Sequence, residues 1–324
     1  MIRQDELDTL LNDQRRPLVD HAISSMMPPG STFKIVTGLG ALQEGVATAI
    51  TQITSNGLIS VQDQYDLSIW HNFYDWSALG TLDFYRAVAM SSDVYFYYLA
   101  GGFENFRGLG AQKLAQYARD FGFDNLTGID LPGETAGLVP DPNWKRQTWK
   151  EDWYLGDTYN FGIGQGFMLS SPLQLVNAVA AVANGGNLLQ PQVVREIVDA
   201  DGKAVVPFSR KLIHKLNISQ SNIAIMREGM RQAVTNGTAT AAQVPGVEVA
   251  AKTGTAEFGE IDPNTGYSPT HGWTVAFGPV DKPQIALVVF LESGRGAGEG
   301  GPAASAVAGS ILKYYFQRLG MSRG

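Results

Sequence analysis

The chain has 324 residues, of which 44% are hydrophobic and 17% charged. That is the composition of a globular protein rather than a disordered one, with length for one large domain or two smaller ones. Its formal charge of −7 carries no basic footprint for nucleic acid, and the absence of cysteine excludes disulfides, thiol nucleophiles and thiolate metal sites.

The segment 1–16 is charged throughout, unlike a signal peptide. A short helix is expected over 5–11, stopped by Pro17. Met27-Pro28-Pro29-Gly30 is a rigid turn, and an apolar helical stretch runs from 31 to about 43. That stretch keeps Gly38 and Gly40, each costing about 1 kcal/mol against alanine in an exposed helix, so it is expected to be buried and closely approached. Residues 50–80 read as irregular and aromatic, with Tyr65, Trp70, Phe73, Tyr74 and Trp76. A helix over 81–100 is interrupted at Ser91-Ser92-Asp93, and a second over 110–121 ends at Gly122. The stretch 131–166 reads as loop, and Ser171-Pro172 opens an apolar helix that stops at Asn184-Gly185-Gly186. Strands follow at 247–256, 272–279 and 284–291, the last two joined as a hairpin through Asp281-Lys282-Pro283. An amphipathic helix over 301–320 closes the chain. Helices, then consecutive strands, then a terminal helix predict an α+β architecture with helices packed on an antiparallel sheet.

No apolar run approaches the ~18 residues that span a bilayer; 285–291 is only a strand's worth. The four histidines, His21, His71, His214 and His271, show no metal-ligand spacing, so neither metal nor cofactor is expected.

Three short elements carry chemistry together. In Ser31-Thr32-Phe33-Lys34 the three-residue spacing brings an amine one turn above a hydroxyl on the same helix face. Serine needs a base in contact. A lysine serves when desolvation and a neighbouring cation leave it uncharged, and the helix N-terminus adds N–H donors for an oxyanion. Alone this pattern is weak, since a capping serine followed by a solvent lysine gives the same four letters. Ser91-Ser92-Asp93 interrupts an apolar helix, either as a local turn or as part of a cleft. Lys252-Thr253-Gly254-Thr255 lies on a strand, where a glycine marks close backbone approach and the flanking hydroxyls and cation suit a carboxylate. An exposed edge strand with a solubilising lysine is the plain alternative. The three in this order, at a helix start, a helix break and a strand, resemble the S-x-x-K, S-D-N and K-T-G set found in penicillin-binding proteins and class A β-lactamases.

With these motifs, PPGSTFK, SSDVYFYYLA, FGFDNLTGIDLPGE, WYLGDT, GIGQG, SPLQL, KTGTAE and HGWTVAFGP resemble the class B penicillin-binding proteins, and most closely the elongation-type branch, penicillin-binding protein 2. The resemblance runs from about residue 16 to the C-terminal helix. It implies the penicillin-binding protein/serine β-lactamase-like transpeptidase fold, an antiparallel sheet with helices on both sides and an all-helical subdomain. It also implies a single transpeptidase domain over 1–324. Asp93 stands where many relatives carry asparagine, and an aspartate there is itself a trait of the elongation branch.

Carried over by position, the resemblance makes Ser31 the nucleophile on the penultimate D-alanine carbonyl of a stem pentapeptide and Lys34 its base. Ser91 relays a proton to the leaving D-alanine, and Asp93 holds Lys34 and the substrate amide. Lys252 keeps the site positive, Thr253 and Thr255 bind the terminal carboxylate beside Gly254, and the N–H groups of Ser31 and Thr255 form the oxyanion hole. An amine from a second peptide strand then resolves the acyl-enzyme into a cross-link, and β-lactams acylate the same serine. The implied partners are peptidoglycan stem peptides and, through the full-length protein, a SEDS-type glycosyltransferase and the elongation machinery. The implied location is the bacterial periplasm, at the outer face of the cytoplasmic membrane.

Three readings compete. A serine β-lactamase needs a carboxylate for its deacylating water, as in the Glu-x-x-Leu-Asn segment of class A enzymes; no such segment occurs, and Glu134 lies in LPGETAG. A D,D-carboxypeptidase shares the acylation step. A β-lactam-sensing domain acylates without turnover and needs no acceptor groove; residues 65–76 and 149–153 are candidates to line one, although core or lid packing is the expected fate of most of their aromatic rings. In this family the sheet begins with strands preceding the serine helix, and only thirty residues precede Ser31, none reading as strand. The chain is therefore expected to be a fragment lacking its first strands, pedestal domain and membrane anchor, with an unpaired sheet edge along 284–291.

Overall fold

The computed structural model describes residues 2–13, 16–259, 268–294 and 300–321. Helix α1 (Gln4–Asn12) and the single turn α2 (His21–Ser24) lead to a 3₁₀ turn at Gly30–Phe33 that runs directly into α3 (Lys34–Gln43). Every residue of α3 from Lys34 to Leu42 is buried. A Cβ at Gly38 would stand 2.7 Å from Met226 Cε, and one at Gly40 2.9 Å from Tyr117 Cδ2, so the two glycines are retained for close packing, as expected.

Residues 50–80 are not irregular. They carry β1 (Ile53–Ser55), β2 (Leu58–Gln62), β3 (Trp70–Tyr74) and β4 (Gly80–Leu82), with β1 paired to β4 and β2 to β3, both antiparallel. Strands this short give too little alternation to read from sequence. The packing of their rings also differs from expectation. Phe73 does pack inward, against Tyr97 and Tyr159. Trp70 and Tyr74, two residues either side of Asn72 on the opposite face of β3, are 57% and 60% exposed. Strand alternation turns one face to the core and leaves the other uncovered.

The predicted interrupted helix is α4 (Phe84–Met90) and α5 (Asp93–Gly101). Helix α6 (Ala111–Asp120) follows as expected. The stretch read as loop contains two helices, α7 (Pro142–Trp149) and α8 (Leu155–Gly162). Asp141 caps α7 by accepting from Trp144 N, with proline at the first helical position, a start signal masked by the surrounding glycines and prolines. Helix α9 (Pro172–Ala183) opens where expected, and Ser171 and Gln174 close a capping box at its start. Strands β5 (Asn187–Leu189), β6 (Ile197–Val198), β7 (Ala204–Val206) and β8 (Leu212–Lys215) form two small ladders before the long helix α10 (Gln220–Asn236).

The predicted strands form one antiparallel sheet in the order β11 (Ile285–Gly294), β10 (Thr270–Gly278), β9 (Ala250–Glu257). One face, with Ala250, Ala256, Trp273, Val275 and Phe277, joins the main core built on α3, α5 and α9. The other, with Ala251, Ala276, Leu287 and Val289, packs on Ala304, Ala308, Leu312 and Phe316 of the closing helix α11 (Gly300–Arg318). The fold is thus the expected mixed α+β arrangement with helices on both faces of an antiparallel sheet. Among the described residues no strand pairs with the outer edge of β11, the open edge expected there.

Candidate active site

The turn that carries Ser31 is seated against β9. A Cβ on Gly254 would lie 3.0 Å from Thr32 Cγ2 and 3.1 Å from Pro29 O, and one on Gly30 only 2.5 Å from Thr255 O. Gly30 also has φ +54°, a conformation L side chains rarely adopt. The third motif's glycine is therefore what lets the strand and the serine turn meet. Trp273 Nε1 donates to Pro28 O (3.0 Å), Gly30 N to Gly164 O (2.9 Å), and Thr32 Oγ1 to Pro29 O (2.7 Å), which fixes the turn from three sides. Phe33, next in line, stacks on Phe161 at 5.4 Å.

Lys34 is buried, 1% exposed. Its amine donates to Asp93 Oδ1 (2.8 Å), to the Ser91 carbonyl (2.6 Å) and, at 3.4 Å, to Ser91 Oγ. Lys252 is fully buried and donates to Ser91 Oγ (2.6 Å) and Thr253 O (2.9 Å). All three motifs thus converge on one hydroxyl, Ser91 Oγ, which both amines reach. Ser31 Oγ, by contrast, makes no hydrogen bond among the described residues; the Lys34 amine is turned toward Ser91 and Asp93. Ser31 and Lys34 stand three apart across a 3₁₀ turn, where such side chains eclipse, so the amine and hydroxyl share a face even without that bond. Catalytic hydrogen bonds are often long before substrate binds.

Of the two buried amines only Lys34 touches a carboxylate, Asp93; the Asp75 carboxylate lies behind the second motif, bonded to residues 92–94. Burial pushes the Lys252 amine well below the ordinary lysine value, the neighbouring Lys34 pushes it the same way, and Asp93 opposes both. Burial likewise raises the Asp93 carboxyl, against the pull of Lys34. A fully charged Lys252 does not suit this enclosure, which bears on the expectation that it keeps the site positive.

Ser91 itself ends α4 in the left-handed region, φ 59° and ψ 34°. Thr253 and Thr255 point to the opposite side of β9 from Lys252, by strand alternation. Thr253 is buried, and its hydroxyl pairs with Thr238 Oγ1 at 2.7 Å rather than standing free for a ligand. Thr255 is half-buried beside Gly301, whose Cβ would lie 3.4 Å from Thr255 Oγ1. Glu134 accepts from Thr127 N (2.7 Å) and Gly128 N (3.1 Å), pinning its own loop. Of the aromatic candidates for a groove, Trp76 donates from Nε1 to Met90 O (2.9 Å), just before Ser91, and its ring is exposed; Trp149 is exposed too. His71 pairs with Asp63 at 2.8 Å, and His271 stacks on Phe258 at 3.9 Å.

Two groups escaped the sequence reading. Asp75, in the aromatic segment, lies buried against the second motif; Thr238, after α10, braces the third. Neither stands in a recognisable pattern. Among the described residues no cluster of His, Asp or Glu has the makings of a metal site. A separate cleft of about 600 Å³, lined by residues including Ile53, Ile59, Tyr98 and Phe103, contains none of the motif residues.

The family described as the penicillin binding protein transpeptidase domain matches residues 3–313. The peptidoglycan D,D-transpeptidase MrdA of Acinetobacter baumannii is 34% identical over 324 residues, covering 97% of this chain and 46% of that protein. A crystal structure of Pseudomonas aeruginosa PBP2 in complex with WCK 5153 superposes with TM-score 0.80 at 30% identity, covering 100% of this chain and 66% of that one. A complex between PBP2 and MreC from Helicobacter pylori gives 0.78 at 30% identity, covering 98% and 55%. The chain spans about half the length of the curated relatives it matches.

Proposed function

The chain belongs to the penicillin binding protein transpeptidase domain family, and from that membership we propose that it is a serine-type peptidoglycan D,D-transpeptidase of the elongation branch, a single transpeptidase domain over 1–324. The observation that carries the reading is the meeting of three motifs on Ser91 Oγ, beside a serine turn seated across the glycine of β9.

Ser31 Oγ forms an ester with the carbonyl carbon of the penultimate D-alanine. Its proton passes to an uncharged amine, and the C–N bond to the terminal D-alanine breaks as Ser91 delivers a proton to the leaving nitrogen. An amine of a second stem peptide then attacks the ester, forms the cross-link and frees Ser31. What supports this is that Asp93 contacts Lys34 alone, while full burial and the neighbouring Lys34 favour the neutral form of the Lys252 amine. Lys34 and Lys252 both reach Ser91 Oγ, and whichever is uncharged at a given step is the base. Thr255 O lies against Gly30, and in a strand a residue's N–H and C=O face the same edge, so the Thr255 N–H is available with that of Ser31 to stabilise an oxyanion. Thr255, rather than Thr253, has the freer hydroxyl for the substrate carboxylate; Thr253 contributes after parting from Thr238.

Penicillins acylate the same serine in this reading, and Glu134 is engaged elsewhere, so the acyl-enzyme is long-lived. A relative solved with MreC supports the elongation machinery as partner, with a SEDS-type glycosyltransferase supplying glycan strands at the periplasmic face of the cytoplasmic membrane. No described helix is long and apolar enough to cross a membrane. The test is to incubate the chain with a donor pentapeptide and an amine acceptor. A cross-linked product with release of D-alanine is expected; tetrapeptide alone identifies a carboxypeptidase, and stoichiometric acylation without either product a sensor.

A further inference from the structure

Asp75 belongs to none of the three motifs, yet five donors converge on its buried carboxylate. Oδ2 accepts from Ser92 Oγ (2.6 Å), Ser55 Oγ (2.9 Å) and Val94 N–H (3.2 Å). Oδ1 accepts from Trp76 N–H (3.0 Å) and Asp93 N–H (3.1 Å). Three of the five come from residues 92–94, the second motif and the first turn of α5. A carboxylate at a helix N-terminus has the favourable sign, and the donors satisfy every direction in which it could bond.

The residue just before that turn is Ser91, held in the left-handed region, where a serine is strained and stays only if its surroundings over-determine it. From the α4 side it is held by Ser91 N to Val88 O (3.3 Å) and Ser92 N to Ala87 O (3.1 Å). From the α5 side the restraint is Asp75. The geometry points to Asp75 as a positioning residue: by gripping residues 92–94 it keeps Ser91 in the conformation that holds its hydroxyl within reach of Lys34 and Lys252, and it keeps the Asp93 carboxylate on Lys34. The role deepens the proposed acyl transfer and rests on that reading. Asp75 acts through the backbone of the second motif.

A cap that merely stabilised α5 would affect melting without affecting chemistry, so the test separates the two. Acylation of the 324-residue chain by a fluorescent penicillin is followed by stopped flow over a range of concentrations. This resolves the encounter constant from the acylation rate constant. Asp75→Asn replaces an acceptor by a donor facing N–H or O–H groups, and Ser92→Ala removes the shortest contact. Ser55→Ala removes a donor that reaches Asp75 from β1 and leaves residues 92–94 in place. Asp75→Asn is expected to slow the acylation step at least about tenfold with the encounter constant little changed, since small misplacements of reacting groups carry such penalties. Ser92→Ala shifts the same constant in the same direction by less, and carries the test should Asp75→Asn fail to fold. Ser55→Ala lowers the melting temperature yet leaves that constant within about twofold of wild type. Equal effects of Ser55→Ala and Ser92→Ala on the rate constant, or a loss confined to the encounter step, overturn the proposal. Amide hydrogen exchange gives a readout independent of activity: exchange at Asp93 and Val94 must quicken in Asp75→Asn and Ser92→Ala, and unchanged exchange overturns the clamp. A wild-type chain that never acylates instead overturns the transpeptidase reading.

Discussion

Lys252 Nζ stands 2.6 Å from Ser91 Oγ, the same hydroxyl that the Lys34 amine reaches at 3.4 Å. Among the described residues Lys252 has no carboxylate in contact, since Asp93 pairs with Lys34 at 2.8 Å. A lysine whose folded-state value is depressed binds fewer protons when native than when unfolded. It therefore destabilises the fold fully below the depressed value, and the cost is relieved as pH rises toward the ordinary lysine value of 10.5. Lys252→Met should raise stability near neutral pH by about 1–2 kcal/mol, an advantage that shrinks with increasing pH, while penicillin acylation falls at least about a hundredfold. Denaturant melts from pH 6 to about 10.5, paired with labelling kinetics, check both.

Removing Lys34 has the opposite consequence for stability, because the mostly buried Asp93 carboxylate loses the ammonium in contact with it and keeps only the more distant Lys252. Lys34→Met should cost about 3 kcal/mol, moderated by the 20% exposure of the Asp93 side chain. The double variant Lys34→Met/Asp93→Asn should recover most of that stability and none of the acylation. Chemical denaturation of Lys34→Met, Asp93→Asn and the double variant gives the coupling; additive single effects would contradict the pairing.

How much of this was legible depends on whether the information was local. Ser31 and Lys34 lie three residues apart, so their shared face follows from chain geometry alone. The helix break at Ser91 and the glycine in the third motif were legible too, because each violates the pattern of its own element. Asp75 was not: it is a lone aspartate among aromatic residues, and its importance exists only once α5, eighteen residues on, folds back to it. Thr253 looked like a ligand because a hydroxyl beside a lysine and glycine suits a carboxylate, and its partner Thr238 is brought up by α10, a helix not among the expected elements. The ladders of residues 53–82 were hidden by their brevity, and α7 and α8 by the glycines and prolines around them.

The seating of the serine turn makes a graded prediction. Gly254→Ala places a methyl 3.0–3.2 Å from Thr32 and Pro29, a clash the turn relieves by shifting slightly. It should cost about 1–3 kcal/mol and slow acylation about tenfold. Gly30→Ala meets the Thr255 carbonyl at 2.5 Å and adds left-handed strain, so its damage on both counts should be larger. Calorimetry with labelling kinetics ranks the two, and the reverse order would show that the turn does not rest on β9 as described.

Freeing Thr253 is a milder perturbation. Thr238→Val removes its 2.7 Å hydroxyl partner and should destabilise the fold by about 1 kcal/mol. Because the acylating groups are untouched, the effect on labelling should lie in the encounter constant, with the rate constant within about twofold of wild type.

The most direct test of the nucleophile is the intact mass of the chain after incubation with benzylpenicillin, beside Ser31→Ala treated identically. One covalent adduct on the wild type, carried by the peptide containing Ser31 and absent from the alanine variant, is the predicted result. An adduct that persists in Ser31→Ala, or a folded wild type that takes up none, would contradict the account.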